Sequence, residues 1–510
     1  MRFPTQHFDL EAIRAQSLDT HDAQNHVSSG HLETEHMMAT QSTGSVDFST
    51  KLFYGFGAVA NGATANGFNY LLLFYYSQVI GLRADLVSLG ILIALIVDAV
   101  SDPMVGYISD NFRSKLGRRH PFMYGAGLPV AAAYFLLWSP PDLPETELFL
   151  YFVGMSVLIR TLITFYEIPA TALVAELTED YDKRTELMSF RYFFAWWGGL
   201  TMAVLNYLVF LPEEKGGLEY IEGWQNYGLT ASIIIFISIM VSSAGTHRHI
   251  PFLKQPPPKQ PFSFNRTAGE LKETLSNRSF FALFISALFM AVASGVSTSL
   301  SIYFSRHFWE LTSTEIGYMN LPYFLSALIA LAIAPWISKN LGKKRGGMLT
   351  LAISFGMAPM PYILRLLGWF PENGTDALFW TLVVFNAVEV MLIIVAASLV
   401  AAMIADIVED SEVHTGRRSE GIFFAANSFA QKAVNGLGVV VAGQILAAIQ
   451  FPTQAKPGDV PESTVIDLAV YYIPVILVFY ITALSVLSLY QINRAGHEAN
   501  LKKLSPSAAE

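Results

Sequence analysis

Apolar stretches of about 20 residues, the length an α-helix needs to cross roughly 30 Å of hydrocarbon, recur along nearly the whole chain. Twelve can be marked: 52–80, 86–108, 121–140, 146–176, 188–211, 229–246, 279–305, 315–337, 346–366, 377–407, 420–449 and 464–491. A backbone in lipid must satisfy its own polar groups, so this pattern admits an all-α polytopic membrane protein and little else. Only 14% of the 510 residues are charged, against about 25% in a soluble domain.

Charge placement predicts the orientation. With both termini in the cytoplasm, the inner loops and the C-terminal tail hold 22 of the 32 Lys and Arg and the outer loops five, the asymmetry of the positive-inside rule. The expected setting is a plasma membrane, in the manner of a bacterial inner membrane, crossed many times. Residues 1–48 are polar and carry His7, His21, His26, His31 and His36 without accompanying acids at regular spacing. They read as a solvated, disordered tail, neither a metal site nor a signal peptide. The chain lacks cysteine, so no disulfide or thiolate site is available.

A Pro-rich basic connector at 247–278 divides the spans into two sets of six, 49–246 and 279–492, with a tail at 493–510. The loop after span two, YISDNFRSKLGRRHP, is echoed after span eight by WISKNLGKKRGG. Two six-helix bundles about a mid-membrane pathway are the architecture of carriers built from repeated halves.

Ionisable residues in hydrocarbon are costly and therefore mark function when a partner can be named. They are Asp98 and Asp102 in span two, Arg160 and Glu167 in span four, Glu389 in span ten and Lys432 in span eleven. Asp98 and Asp102 stand four residues apart, on one helix face. Two anions so placed in a low dielectric take up a proton or share a small cation, and oxygen ligands suit a hard monovalent ion. The structural alternative pairs Asp98 with Lys432 and makes Asp102 a pin beside Pro103. Lys432 lies on a polar stripe with Asn427, Gln431 and Asn435. Arg160 and Glu167 form either an intrahelical pair or, through the guanidinium, a substrate site. Asn61, Asn66, Asn69, Tyr166, Tyr192, Trp196 and Trp197 are candidates for sugar contact, because amides bind hydroxyls and rings stack on sugar faces.

With these residues in hand, the chain resembles the glycoside-pentoside-hexuronide:cation symporter family of the major facilitator superfamily over roughly 49–492. The likeness rests on DAVSDPMVGYISD with RSKLGRRHP, on EIPATALVAELTEDYDKRTELMSFRYFF, and on ADIVEDSEVHTGRRSEG with FAQKA. It implies alternating access by two six-helix bundles. In the melibiose permease pattern Asp98, Asp102, Ser101 and Thr164 match the cation ligands, and Glu167 an acid serving both cation and sugar. Lys432 matches the lysine near the cation site. The resemblance likewise implies a cytoplasmic gating network of Asp110, Arg118, Arg119, Arg191, Asp406, Glu409 and Arg417. Two positions depart from the pattern: a sugar-binding Asp of the first helix falls at Gly62, and a Trp of the fourth at Thr171. Arg160 is an addition that suits an anionic sugar such as a uronide.

The expected function is a monomeric symporter of a sugar, glycoside or uronide coupled to Na⁺ or H⁺, with no cofactor beyond that ion and no nucleic-acid partner. The alternative is a carrier of lysophospholipid or another amphiphile. An enzyme finds no support, since HExxH, GxSxG and GxxxxGK[ST] are absent from the sequence.

Overall fold

The computed structural model describes residues 47–178, 180–253, 278–415, 436–456 and 458–491. Its helices, in chain order, are α1 (48–80), α2 (Ala84–Asn111), α3 (His120–Leu137), α4 (Glu145–Leu177), α5 (Lys183–Phe210) and α6 (Ile221–His247). The second half contains α7 (Arg278–Phe308), α8 (Ser313–Leu341), α9 (Lys343–Leu366), α10 (Asp376–Thr415), α11 (Gly436–Ala448) and α12 (Glu462–Leu487). Nine of these, among the described residues, are long and apolar enough to cross a membrane. The α6 helix begins eight residues before the apolar run at 229, because the polar stretch IEGWQNYG packs as helix rather than loop. There Trp224 and Tyr227 are fully buried.

The two halves repeat one packing plan. In the first, α2 lies on α4, α3 on α4 and α6, and α1 on α5 and α6; in the second, α8 lies on α10, α9 on α10 and α12, and α7 on α12. Outward faces are apolar, as a lipid solvent requires: Leu128, Leu150, Leu331, Val384 and Val478 are all exposed.

The α1 helix is built from several pieces. It starts at Asp47, whose side chain caps Thr50 N–H. Hydrogen bonds from Thr50 and from the Arg248 guanidinium hold the Asp47 carboxyl well below the usual carboxylate range. Wide π turns follow at Gly67–Leu71 and Tyr75–Ile80. The second turn is anchored by Tyr75 Oη and Tyr76 Oη, which donate to the Trp138 and Leu137 carbonyls at 2.9 and 2.8 Å.

The α1 and α5 backbones touch. A Cβ added at Gly62 would lie 2.0 Å from the Ala195 carbonyl oxygen, and one at Gly199 would lie 2.9 Å from the Gly62 carbonyl oxygen. No side chain fits at Gly62 without displacing the α5 backbone.

The halves are bonded to each other at the end farthest from residues 47 and 491. Ser77 Oγ meets Tyr303 Oη, Gln78 Nε2 donates to the Pro452 carbonyl at 3.1 Å, and Arg306 of α7 reaches Glu219 and Glu213 of the α5–α6 loop. Near the chain ends, Lys51 pairs with Glu186 and Lys344 Nζ donates to the Tyr490 carbonyl, each contact lying within one half.

Candidate functional site

The acids of α2 meet α4 at one hydroxyl. Thr164 Oγ1 lies 2.9 Å from Asp98 Oδ1, 3.0 Å from Asp102 Oδ1 and 3.0 Å from its own helix's Arg160 carbonyl. One hydroxyl carries one hydrogen, so it satisfies at most one of those three oxygens at a time. Ser101 Oγ turns back to the Asp98 carbonyl at 3.1 Å, so its hydroxyl oxygen lies on the same turn without joining the cluster through its hydrogen. Pro103 and Pro169 interrupt the hydrogen-bond ladders of α2 and α4 beside Asp102 and Glu167, each leaving a backbone carbonyl without its usual donor.

Arg160 faces Asp98, with Nη1 3.7 Å from Asp98 Oδ2, and its guanidinium lies 4.6 Å from the centre of the Phe68 ring. Its Nε is buried without a hydrogen-bond partner among the described residues. Glu167, the other member of the intrahelical pair considered from sequence, instead accepts from Asn61 Nδ2 at 3.2 Å. Arg160 and Glu167 thus each make a contact between helices, to α2 and to α1, while Glu167 still acts electrostatically on Arg160 along α4. Asp98, Glu167 and Asp102 all act electrostatically on the Arg160 guanidinium.

A cavity of about 440 Å³ lies between α1 and α5 of one half and α7 and α8 of the other. Asn61, Asn66, Asn69, Tyr192 and Trp196 line it from the first half, and Ser301, Ser305, Asn320 and Tyr323 from the second. Asn61 belongs to both places, since it borders the cavity and donates to Glu167. Asn66 accepts a hydrogen bond from Tyr227 Oη at 3.4 Å, which orients its amide.

Two candidates for substrate contact sit elsewhere. Trp197 packs on Phe193 and edge-on against Phe324, at ring separations of 5.0 and 4.7 Å, as a contact between the halves. Tyr166 is buried with its hydroxyl filling the space above Gly57, where a Cβ would lie 1.9 Å from it. Lys432, Gln431, Asn427 and Arg417 lie outside the described residues, as do the side chains of Asp406 and Glu409.

At the chain-terminal end, Glu176 Oε1 gathers Arg118 Nη2 at 2.7 Å and Arg119 Nε at 3.0 Å. Arg119 also holds Asp110 at 2.5 Å and Ser109 Oγ at 2.9 Å. Arg191 is separate from this group: it is buried, donates to Thr171 Oγ1 at 3.2 Å and lies over the Tyr54 ring at 5.3 Å. Glu176 and the second-half lining residues escaped the sequence reading. Glu176 had a signal in the acidic run AELTED at the end of α4, whereas Ser301, Ser305 and Asn320 are of types found anywhere on a helix.

The family model described as MFS/sugar transport protein matches residues 53–494. The putative glycoside/cation symporter YagG of Escherichia coli (strain K12) is 23% identical, covering 89% of this chain and 94% of that protein. The isoprimeverose transporter of Lactiplantibacillus pentosus is 23% identical, covering 83% of this chain and 86% of its own length. Among solved structures, a D-xylose-proton symporter superposes with a TM-score of 0.57 at 14% identity, over 85% of this chain and 97% of that one, and so shares the fold. With its apolar helices and repeated halves, the chain is a multi-pass plasma-membrane transporter of a small molecule, not an enzyme. It belongs to the sugar transport proteins of the major facilitator superfamily, within the glycoside-pentoside-hexuronide symporter family.

Proposed function

We propose that the chain is a cation-coupled symporter of a glycoside or sugar acid that works by alternating access, with Na⁺ or H⁺ held at Asp98, Asp102 and Thr164. The observation that carries this reading is Asn61. Its amide donates to Glu167 Oε1 at 3.2 Å while it borders the central cavity. A cation arriving among the acids changes the charge that Glu167 feels, and Asn61 passes that change to the sugar wall. The proposal draws further support from relatives named for glycosides and for isoprimeverose, and from a cavity rich in amides and phenols, which bind hydroxyl groups.

Arg160 acts as a resident counter-charge for Asp98. It moderates repulsion between the two aspartates, and it supplies positive potential to an acidic sugar at the α1–α4 side. With both chain ends in the cytoplasm, as the charge asymmetry predicts, the bonds between the halves at Ser77, Gln78 and Arg306 lie on the outer side.

Uptake into proteoliposomes of labelled neutral glycosides, isoprimeverose among them, and of uronides tests the proposal when run with and without a Na⁺ gradient at fixed pH and with a pH gradient at fixed Na⁺. Concentrative uptake that depends on one of the two gradients and is lost in Asp98→Asn is expected. Accumulation that ignores both ions refutes the coupling. Uptake displaced by lysophospholipid, with no response to any glycoside, refutes the substrate class.

A further inference from the structure

The central cavity changes character along its length. It lies between helices whose ends meet where the halves are bonded: α1 ends just past Ser77 and Gln78, α5 at Phe210 and α7 at Phe308, while α8 begins at Ser313. Position along each helix therefore sets the depth of each lining residue. Asn61, Tyr192, Trp196 and Tyr323 stand away from the bonded end, and Leu200, Ala203, Ile316 and Met319 stand close to it.

The near end is closed. Ser313 Oγ of α8 donates to the Tyr207 carbonyl of α5 at 3.3 Å, and α8 packs so tightly on α5 that a Cβ at Gly317 would lie 2.4 Å from Leu208 Cδ2. Both halves supply hydrocarbon to it: Leu200 and Ala203 from the last turns of α5, Ile316 and Met319 from the first turns of α8. Polar groups at this level are in part spent inside the protein. Ser301 Oγ donates to the Thr298 carbonyl at 2.7 Å, and the Asn66 side-chain oxygen takes the Tyr227 hydroxyl at 3.4 Å. Tyr70 and Tyr207 add rings that carry one hydroxyl each. The far end differs, since amide and phenol groups gather there and Asn61 joins the wall to Glu167.

A sugar pushed into the closed end would set hydroxyls against methyl and methylene groups, losing water without gaining partners. An alkyl or aryl group in the same place removes apolar surface of ligand and wall together from water. The sugar then lies at the level of Asn61, where amides bind hydroxyls and rings stack on sugar faces.

We infer that the substrate is amphipathic: a glycoside with a short alkyl or aryl aglycone, seated with the aglycone in the closed end between α5 and α8 and the sugar toward Asn61. Leu200 and Met319 then set specificity for the aglycone. The inference rests on the glycoside reading and holds whichever ion is coupled.

Binding to the full chain in lipid nanodiscs, prepared free of glucoside and maltoside detergents, tests it at saturating Na⁺, fixed pH and no gradient. The ligands are the methyl, ethyl, propyl and butyl glycosides of glucose, xylose, galactose and glucuronic acid, each series titrated calorimetrically. For a sugar that binds, affinity should rise about fourfold per added methylene, the gain from taking one CH₂ out of water. In Leu200→Gln and in Met319→Gln that step should fall below about twofold. The ratio of butyl to methyl affinity cancels any general loss of binding in the variants. A methyl glycoside that binds while its series stays flat overturns the inference and leaves the glycoside reading standing. So does a fourfold step kept in both variants, as partition into the lipid would give. Binding by no member of any series sinks the glycoside reading itself, and this inference with it.

Discussion

Replacing Arg306 by Ala should unlock the end at which the halves are bonded. The Arg306 side chain is only 9% exposed and forks onto Glu219, with Nη2 3.0 Å from Oε2 and Nε 3.3 Å from Oε1. Its Nη1 lies 3.5 Å from Glu213 Oε1, and Glu213 in turn accepts the Ser313 N–H at 3.0 Å. A fully exposed pair would contribute at most about 1 kcal/mol, and breaking a fully buried one costs about 3–5. With the acids 31% and 40% exposed, this contact falls between, at about 2 kcal/mol. Because only the sealed state makes it, its loss shifts the balance of access states by roughly 30-fold. The Ser77–Tyr303 and Gln78–Pro452 bonds remain in the variant, so the shift moves populations without separating the halves. Labelling of Asn320→Cys by a membrane-impermeant maleimide from outside reads that shift directly. Arg306→Lys keeps the charge and loses the fork, and should produce about half the free-energy change, a roughly 5-fold effect. Outside labelling that is equal in wild type, Ala and Lys variants of normal size-exclusion profile would refute the idea that this contact holds the outer side shut.

Gly62→Ala should lower the melting temperature of the detergent-purified protein, because its methyl meets the Ala195 carbonyl at 2.0 Å. A cost of about 1–3 kcal/mol follows for such overpacking, and an unchanged transition would show that the helices separate freely. Asn61→Ala removes the donor to Glu167, so sugar affinity should lose its dependence on the coupling ion while ion binding itself persists. Calorimetry with and without the ion would show this, and an ion effect of wild-type size would contradict it. Glu176→Gln weakens the hold on both Arg118 and Arg119. Proteolysis of the 112–119 loop should then accelerate relative to wild type, and equal rates would rule out a fastening role.

The spans were legible because lipid imposes a length and a composition that no other constraint overrides. Runs such as 86–108 and 146–176 fall within α2 and α4 to within a few residues. The nearness of Asp98 to Asp102 was legible for the same kind of reason, since a four-residue step on a helix fixes a shared face. What Thr164 adds is a contact between helices, and periodicity is blind to which face of α4 turns toward α2. The partner of Arg160 was hidden likewise: seven residues separate it from Glu167 on one helix, yet the nearer acid is on another. Glu213 and Glu219 were not singled out in the sequence, because their partner Arg306 comes from the second half of the chain. The wide turns of α1 leave no pattern at all, because π and α turns use the same residue types.

The backbone contact at Gly62 and Gly199 also bears on how a carrier of this kind acquires new cargo. Two helices that touch without intervening side chains cannot slide past each other or accept bulk between them, so the first-half wall behaves as one stiff plate. Changes of sugar preference are then confined to what projects from that plate, or to the opposite wall, where Ser301, Ser305 and Asn320 are small enough to be exchanged one at a time.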